Sequence, residues 1–344
     1  MSMSHRFCVI MADGTGAASQ LRVTYDRFKE VVPEDHILVV TPQRFADQAR
    51  RELPMLPPEN LLVEPHARKT APCMAYAAYT LLTRDPEAVL VATPWDLVIR
   101  DVGLFAHTVR EAFQYVEEND VLMTLGIVPR HADVNFGYIQ VKEGHNAYLM
   151  AGPLQVKTFT EKPPLELAEV FVRTGEFFWN SGIFVWKAVD ILAEMEHYIP
   201  EVTNQFVGWE ENIGTETEKS FIERCYADCP KESLDYGVME RTDRAWLYPA
   251  KFGWTDIGSW ESLYRFIPDK DDDGNAINTK THLTDGCSNS IFIAKNKEKL
   301  LAVKGLENYI IVDTDDVLLI CPKDDKTFRD FIAGIAMPDF EEYR

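Results

Sequence analysis

Apolar positions in the first part of the chain follow two alternating rhythms. Short β-branched-rich runs at Phe7–Met11, His36–Val40, Leu61–Val63, Ala88–Ala92 and Val121–Ile127 predict strands. Between them, Thr24–Val31, Phe45–Leu53, Thr70–Thr83 and Val102–Glu118 carry apolar residues at helical spacing. Strand alternating with helix predicts an α/β domain with a mixed, mainly parallel sheet covered on both faces. In such sheets ligands collect beyond the carboxyl ends of the strands.

The middle of the chain, Phe136 to Trp186, has β-rich pieces around one helical segment, Leu165–Arg173, and reads as an insertion able to wall one side of that crevice. The run "PDKDDDGN" from Pro268 is a loop or linker by composition. Beyond it, Ser290–Ala294, Leu300–Val303, Tyr309–Val312 and Val317–Cys321 are short strands at nearly even spacing. The expected organisation is therefore a large α/β domain over residues 1–267 and a small C-terminal β domain over 268–344.

Charge narrows the partners. A formal net charge of -20 over 344 residues disfavours nucleic acid and anionic membranes, which the whole surface would repel. An acidic protein that handles phosphates must gather its cations locally or use a divalent metal. The cysteines at 8, 73, 225, 229, 287 and 321 form no CxxC pair, which reads as reduced, mostly buried thiols rather than a zinc site. No signal peptide is expected ahead of Phe7, and no apolar run approaches the roughly 20 residues of a membrane span. The cytoplasm is the expected compartment. The eight histidines share no spacing, and no GxSxG, HExxH or Walker-type motif occurs.

Four segments carry candidate chemistry. Mg²⁺ prefers oxygen ligands and neutralises phosphate charge. Asp96 in "VLVATPWDLVI" offers a carboxylate after a strand-like run, and Asp256 in "FGWTDIGSWESLY" is an acid bracketed by Trp254 and Trp260 and followed by Gly258. Either aspartate alone also reads as a helix cap. "LLVEPHARKTAP" sets Glu64, Arg68, Lys69 and Thr70 ahead of an alanine-rich helix with Pro72 in its first turn, a setting suited to a nucleotide, although Thr70 alone fits an N-cap. In "FTEKP", Glu161 and Lys162 are adjacent on an extended stretch and so should face opposite ways. In "FFWNSGIFVW", Asn180 interrupts an aromatic run and could read sugar hydroxyls, or simply form a turn with Gly182. Finally, "VIMADGTGAASQLRV" delivers a strand to Gly14 and Gly16, whose bare backbones could approach a triphosphate.

Taken in order, "EPHARKTAP", "TPWDLVI", "NFGYI", "FTEKP", "FFWNSGIFVW", "ESLDYGVMER", "FGWTDIGSW" and "VKGLENYIIVDTDDVLLI" resemble the mannose-1-phosphate guanylyltransferases of the sugar-nucleotidyltransferase superfamily. The resemblance implies a Rossmann-like nucleotidyltransferase domain followed by a small left-handed β-helix-like domain, often in a homodimer. It implies GTP and mannose 1-phosphate as substrates, with Mg²⁺ held by Asp96 and Asp256. Glu64, Thr70 and Pro72 would lie at the nucleoside with Arg68 nearby. Gly137, Glu161, Lys162 and Asn180 would hold mannose 1-phosphate, Lys162 at its phosphate.

The chain departs from the family at its amino terminus. The family signature GGxGxRLWPxSRxxxPKQF corresponds here to "ADGTGAASQL": Asp13 replaces the first Gly, Ala18 the Arg, and the loop through the Lys is absent. Two lost charge-assisted hydrogen bonds cost about 3–6 kcal/mol. A like charge from Asp13 at about 5 Å adds roughly 3 kcal/mol. A penalty of about 6 kcal/mol slows turnover about 10⁴-fold. Two functions follow: a working guanylyltransferase, or an impaired homologue that binds sugar phosphate as a regulatory subunit.

Overall fold

The computed structural model describes residues 5–13, 19–144, 147–150, 152–256, 264, 267 and 269–323, the side chains of Ser19, Thr255 and Asp256 excepted. Packing divides the chain into two units, Met1–Trp254 and Thr255–Arg344, ahead of the polar run at Pro268.

The first unit is organised by a nine-stranded sheet. Its strands in chain order are β1 (Arg6–Met11), β2 (Ile37–Pro42), β3 (Leu61–Glu64), β4 (Val89–Pro94), β6 (Leu122–Ile127), β7 (Tyr138–Val141), β8 (Leu154–Thr160), β9 (Phe177–Lys187) and β10 (Ala245–Ala250), with the short β5 (Leu97–Ile99) outside it. The spatial order is β3-β2-β1-β4-β9-β6-β10-β8-β7. β1 pairs in parallel with both β2 and β4, so the chain leaves β1 to opposite sides and opens a crevice at the carboxyl ends of β1 and β4.

Helices α1 (Ser19–Phe28), α2 (Gln43–Glu52), α3 (Thr70–Arg84), α4 (Val102–Glu118), α5 (Leu165–Thr174), α6 (Ala188–Tyr198), α7 (Pro200–Thr203), α8 (Trp209–Asn212) and α9 (Glu218–Ala227) connect or cover these strands. Alternate residues feed two cores, which is why the strands read as unbroken apolar runs. Phe7, Val9, Leu90 and Ala92 face the core shared with α3, α6 and α9. Cys8, Ile10, Val89 and Val91 face the core shared with α1, α2 and α4. α1 begins earlier than the expected Thr24 because Leu21, Tyr25 and Phe28, at helical spacing, are all fully buried.

The middle segment differs from the expected side wall. β9 lies at the centre of the sheet, antiparallel to both β4 and β6, with Phe178, Phe184 and Trp186 in one core and Trp179, Ile183 and Val185 in the other. A strand buried on both faces needs the long aromatic and aliphatic run that "FFWNSGIFVW" supplies.

In the second unit β12 (Ala276–Asn278), β14 (Ile291–Ala294) and β16 (Tyr309–Asp313) stack in parallel, with β17 (Leu318–Pro322) antiparallel on β16. β13 (His282–Asp285) and β15 (Leu301–Lys304) form a second parallel pair. Ala276, Ile291 and Ile310 share one register and one small core. Two residues before each stands Gly274, Asn289 or Asn308, all with left-handed backbone (φ 77, 50 and 59). Glycine and asparagine tolerate that region best, so the repeated turn is written into the sequence. β11 (Trp254–Asp256) bridges the division between the units along the chain.

Candidate functional site

The crevice at the β1/β4 switch receives Asp13 and Asp96, since Met11 and Pro94 are paired at the strand ends. The turn that carries Asp96 is pinned from α1: Thr24 Oγ1 donates to the Trp95 carbonyl at 2.7 Å and Arg27 Nη2 donates to the Leu97 carbonyl at 2.9 Å. Burial lowers the Arg27 guanidinium to about 10, yet it keeps these carbonyl-facing duties. Trp95 is 1% exposed and its Nε1 donates to Asp13 Oδ1 at 3.2 Å. Asp13 and Asp96 thus each follow the end of one of two neighbouring strands at the switch, while among the described residues no group of three or more His, Cys, Asp or Glu is gathered to hold a metal ion. Gly14 and Gly16 lie outside the described residues, as does the Asp256 side chain; its backbone belongs to β11.

Two strands from β1, Glu64 closes β3 with a side chain 7% exposed, accepting a 2.9 Å hydrogen bond from the Tyr226 hydroxyl. Burial raises its carboxyl to about 7, against the opposing pull of the Tyr226 bond. Thr70 opens α3, and its hydroxyl accepts from the Leu234 amide at 3.0 Å instead of capping the helix, whose N-cap Lys69 makes no side-chain cap bond. Pro72 is buried in the first turn of α3. Arg68 turns its guanidinium onto the carbonyls at the end of α9, Nε to Tyr226 at 3.3 Å and Nη2 to Ala227 at 2.9 Å, where a cation suits the helix dipole.

Glu64 has a consequence for stability. Its folded value of about 7 exceeds the ordinary 4.5, so the protonated form contributes stability that is complete below 4.5 and lost as pH rises through 7. Glu64→Gln is expected to flatten the fall in unfolding free energy between pH 5 and 8 by on the order of 3 kcal/mol. Urea titrations at both pH values measure it; parallel wild-type and variant curves would refute it.

The third cluster draws on four separate segments. Gly137 precedes β7, and its carbonyl accepts from the Asn180 amide at 2.8 Å. Asn180 lies within β9, where Nδ2 donates to Asp235 Oδ1 at 3.0 Å and Oδ1 accepts from the Gly182 amide at 3.1 Å. Glu161 follows β8, and its amide donates to Glu240 Oε1 at 3.2 Å. A Cβ at position 137 would lie 2.6 Å from Glu161 Oε2, so the glycine is what lets this carboxyl lie over the chain. Glu161 Oε2 is buried with no hydrogen-bond partner, and burial together with the Asp235 charge raises the carboxyl to about 7. The cluster thus presents an acceptor, an amide and a cation, Lys162, which draws both carboxyls back down.

Lys162 corrects one expectation. At φ 44 it has left the extended region, so Glu161 and Lys162 do not alternate as strand neighbours; β8 has ended at Thr160 and the chain turns toward Pro163. Asp235, in the π-helical turn Asp235–Met239, is the residue that sequence reasoning left without a role. Its burial raises its carboxyl, and the Asn180 bond opposes this. "ESLDYGVMER" was its only signal, because nothing local tells a strand residue that an acid 55 positions later will bond to it.

A crevice at a parallel-sheet switch, with acids following the strand ends and a buried polar cluster around Asn180, is the setting in which an α/β nucleotide-using transferase binds its ligands. The nucleotidyl transferase family profile matches residues 19–272, and the chain belongs to that family. Within it, the chain is 33% identical over 96% of its length to the mannose-1-phosphate guanylyltransferase RfbM of Salmonella typhimurium. It is 32% identical over 94% to mannose-1-phosphate guanylyltransferase of Escherichia coli, and 32% over 90% to the xanthan biosynthesis protein XanB of Xanthomonas campestris. The chain spans 68%, 72% and 64% of those proteins, about two thirds of their length. Its fold matches a crystal structure described as mannose-1-phosphate geranyltransferase from Thermus thermophilus at a TM-score of 0.82, with 21% identity, over 97% of this chain and all of that one. Among the described residues no helix is long and apolar enough to cross a membrane.

Proposed function

We propose that the chain transfers GMP from GTP to mannose 1-phosphate, giving GDP-mannose and pyrophosphate. The single observation that carries the reading is the sugar-side cluster: the unpartnered Glu161 oxygen over Gly137, beside Asn180 and Lys162. A sugar hydroxyl donating to Glu161 would satisfy that oxygen, and Lys162 would take the ester phosphate. A phosphate oxygen of mannose 1-phosphate bonds to the α-phosphorus of GTP while the bond from that phosphorus to the β-phosphate oxygen breaks. The attacking oxygen is already ionised, so no protein base is needed and catalysis rests on positioning and charge neutralisation.

In this reading Glu64, Thr70 and Pro72 hold the nucleoside near Arg68, and the resemblance assigns Gly14 and Gly16 to the triphosphate. The resemblance gives Asp96 and Asp256 as the Mg²⁺ ligands, and such an ion would neutralise charge on the reacting phosphates. Asp96 and Asp13, each following a strand end at the switch, offer oxygen donors of the right hardness. We further read the molecule as a cytoplasmic homodimer whose second domain, from residue 268, coils as a left-handed β-helix; the parallel register of Ala276, Ile291 and Ile310 supports the coil.

Incubation with GTP, Mg²⁺ and mannose 1-phosphate is expected to release pyrophosphate only when all three are present, with Asp256→Asn as the inactive control. Wild-type release no faster than that control would overturn the assignment.

A further inference from the structure

Asn180 is held more closely than its place in a strand requires. Its Oδ1 accepts from the Gly182 amide at 3.1 Å, and Thr124 Oγ1 lies 3.4 Å from the same oxygen. A backbone amide can only donate, so this contact fixes which end of the side chain is oxygen and which is nitrogen. Nδ2 therefore faces Asp235, and one of its two N–H groups goes to Oδ1 of that carboxylate at 3.0 Å. The oxygen end is occupied and one N–H is left over.

The unpartnered Glu161 Oε2 borders the same place. A Cβ built on Gly137 would lie 2.6 Å from Glu161 Oε2 and 3.3 Å from Asn180 Cβ, so both side chains flank the space that the absent methyl leaves. One open donor and one open acceptor match a single hydroxyl group, which accepts from the amide and donates to the carboxyl. Asp235 is the reason that only one N–H is open. The π-helical turn that carries it has its own anchors: the Leu234 amide donates to Thr70 Oγ1 at 3.0 Å, the Glu232 amide to the Arg68 carbonyl at 3.3 Å and the Gly237 amide to the Ser233 carbonyl at 2.9 Å. Those bonds remain whichever side chain stands at position 235. Among the described residues the Asp235 carboxylate accepts one hydrogen bond from another side chain, that of Asn180.

We propose that Asp235 is a positioning residue for the sugar substrate: it takes one N–H of Asn180 and so fixes the amide plane, leaving the other N–H to pair with Glu161 Oε2 around one sugar hydroxyl. The role rests on the guanylyl-transfer reading above for the identity of the sugar phosphate, while the hold of Asp235 on Asn180 stands on the geometry itself. The recognised hydroxyl must both accept and donate, so replacing it by hydrogen loses two bonds at once. With alanine at position 235 the Asn180 amide is free to turn, and the preference for hydroxyl over hydrogen goes with it.

The test sets the full-length wild type beside Asp235→Ala and Asp235→Asn, with mannose 1-phosphate and its 2-, 3-, 4- and 6-deoxy derivatives as probes. Calorimetry gives the affinity for each probe, and pyrophosphate release gives KM and kcat. The wild type is expected to lose affinity by about tenfold or more for one of the four deoxy sugars. Asp235→Ala should weaken mannose 1-phosphate by about tenfold, chiefly in KM, and should bind that deoxy sugar within about threefold of mannose 1-phosphate. Asp235→Asn keeps an acceptor oxygen at the same reach and should restore affinity and discrimination to within about threefold of the wild type. Asp235→Ser, one atom shorter, takes the place of Asp235→Ala if melting temperatures show that the alanine variant fails to fold. Affinity unchanged in Asp235→Ala, discrimination retained in it, an equal loss in Asp235→Asn, or a wild type indifferent to all four deoxy sugars would overturn the positioning role. Any of these with wild-type turnover intact removes that role alone. Affinities that follow Asp235 without turnover keep the role and remove the guanylyl-transfer reading, and a wild type that neither binds nor uses mannose 1-phosphate removes both.

Discussion

Asp96→Asn is expected to lower kcat by about 10²- to 10³-fold while leaving the melting temperature unchanged. The separation of the two readouts follows from how the turn is held. Thr24 and Arg27 grip the carbonyls of Trp95 and Leu97, on either side of Asp96, and both anchors remain whichever side chain stands at position 96. Asparagine has nearly the same shape but lacks the charge that would hold a divalent cation against the phosphates. Steady-state pyrophosphate release at saturating Mg²⁺ measures the effect. Activity within about tenfold of wild type would take Asp96 out of the metal-holding role.

Gly137→Ala is expected to raise the KM for mannose 1-phosphate by about tenfold or more with a smaller change in kcat. The added methyl would stand 2.6 Å from Glu161 Oε2, 3.2 Å from Glu161 Cδ and 3.3 Å from Asn180 Cβ. One of the two side chains must move, and Glu161, whose Oε2 has no partner to hold it, is the one that gives way. Losing its bond to a sugar hydroxyl costs about 1–2 kcal/mol, more if the hydroxyl stays buried and unsatisfied. Gly103→Ala is the control, because its new Cβ meets Asp101 Oδ1 at an ordinary 3.6 Å. An unchanged KM in Gly137→Ala would mean that the sugar does not lie against Glu161.

Local patterns single out candidate residues one segment at a time. Asp96, Glu64 and Asn180 stand in short motifs whose neighbours announce a strand end or an interrupted aromatic run. The partners of these residues are another matter. Glu64 meets Tyr226 across 162 positions and Arg68 reaches Ala227 across 159. Those contacts depend on where α9 lands after the sheet has closed, and no period of two or 3.6 records it. For the same reason Arg68, read as a free cation in a polar loop, proves to be anchored on a helix end.

Lys162 marks a different limit. Alternation along a strand assumes that the strand continues, and the positive φ after Thr160 ends it one residue before the rule is needed.

By itself the sequence determined the alternation of strands and helices over the first 127 residues and the short, evenly spaced strands of the second unit. These depend on short-range periodicity and on backbone sterics, which act within a few residues. Tertiary structure alone decided that β9 runs through the middle of the sheet and that Asn180 and Glu161 share a cluster with Asp235. Such juxtapositions are chosen by burying two apolar faces at once, and that choice is made by the whole chain, not by any segment of it.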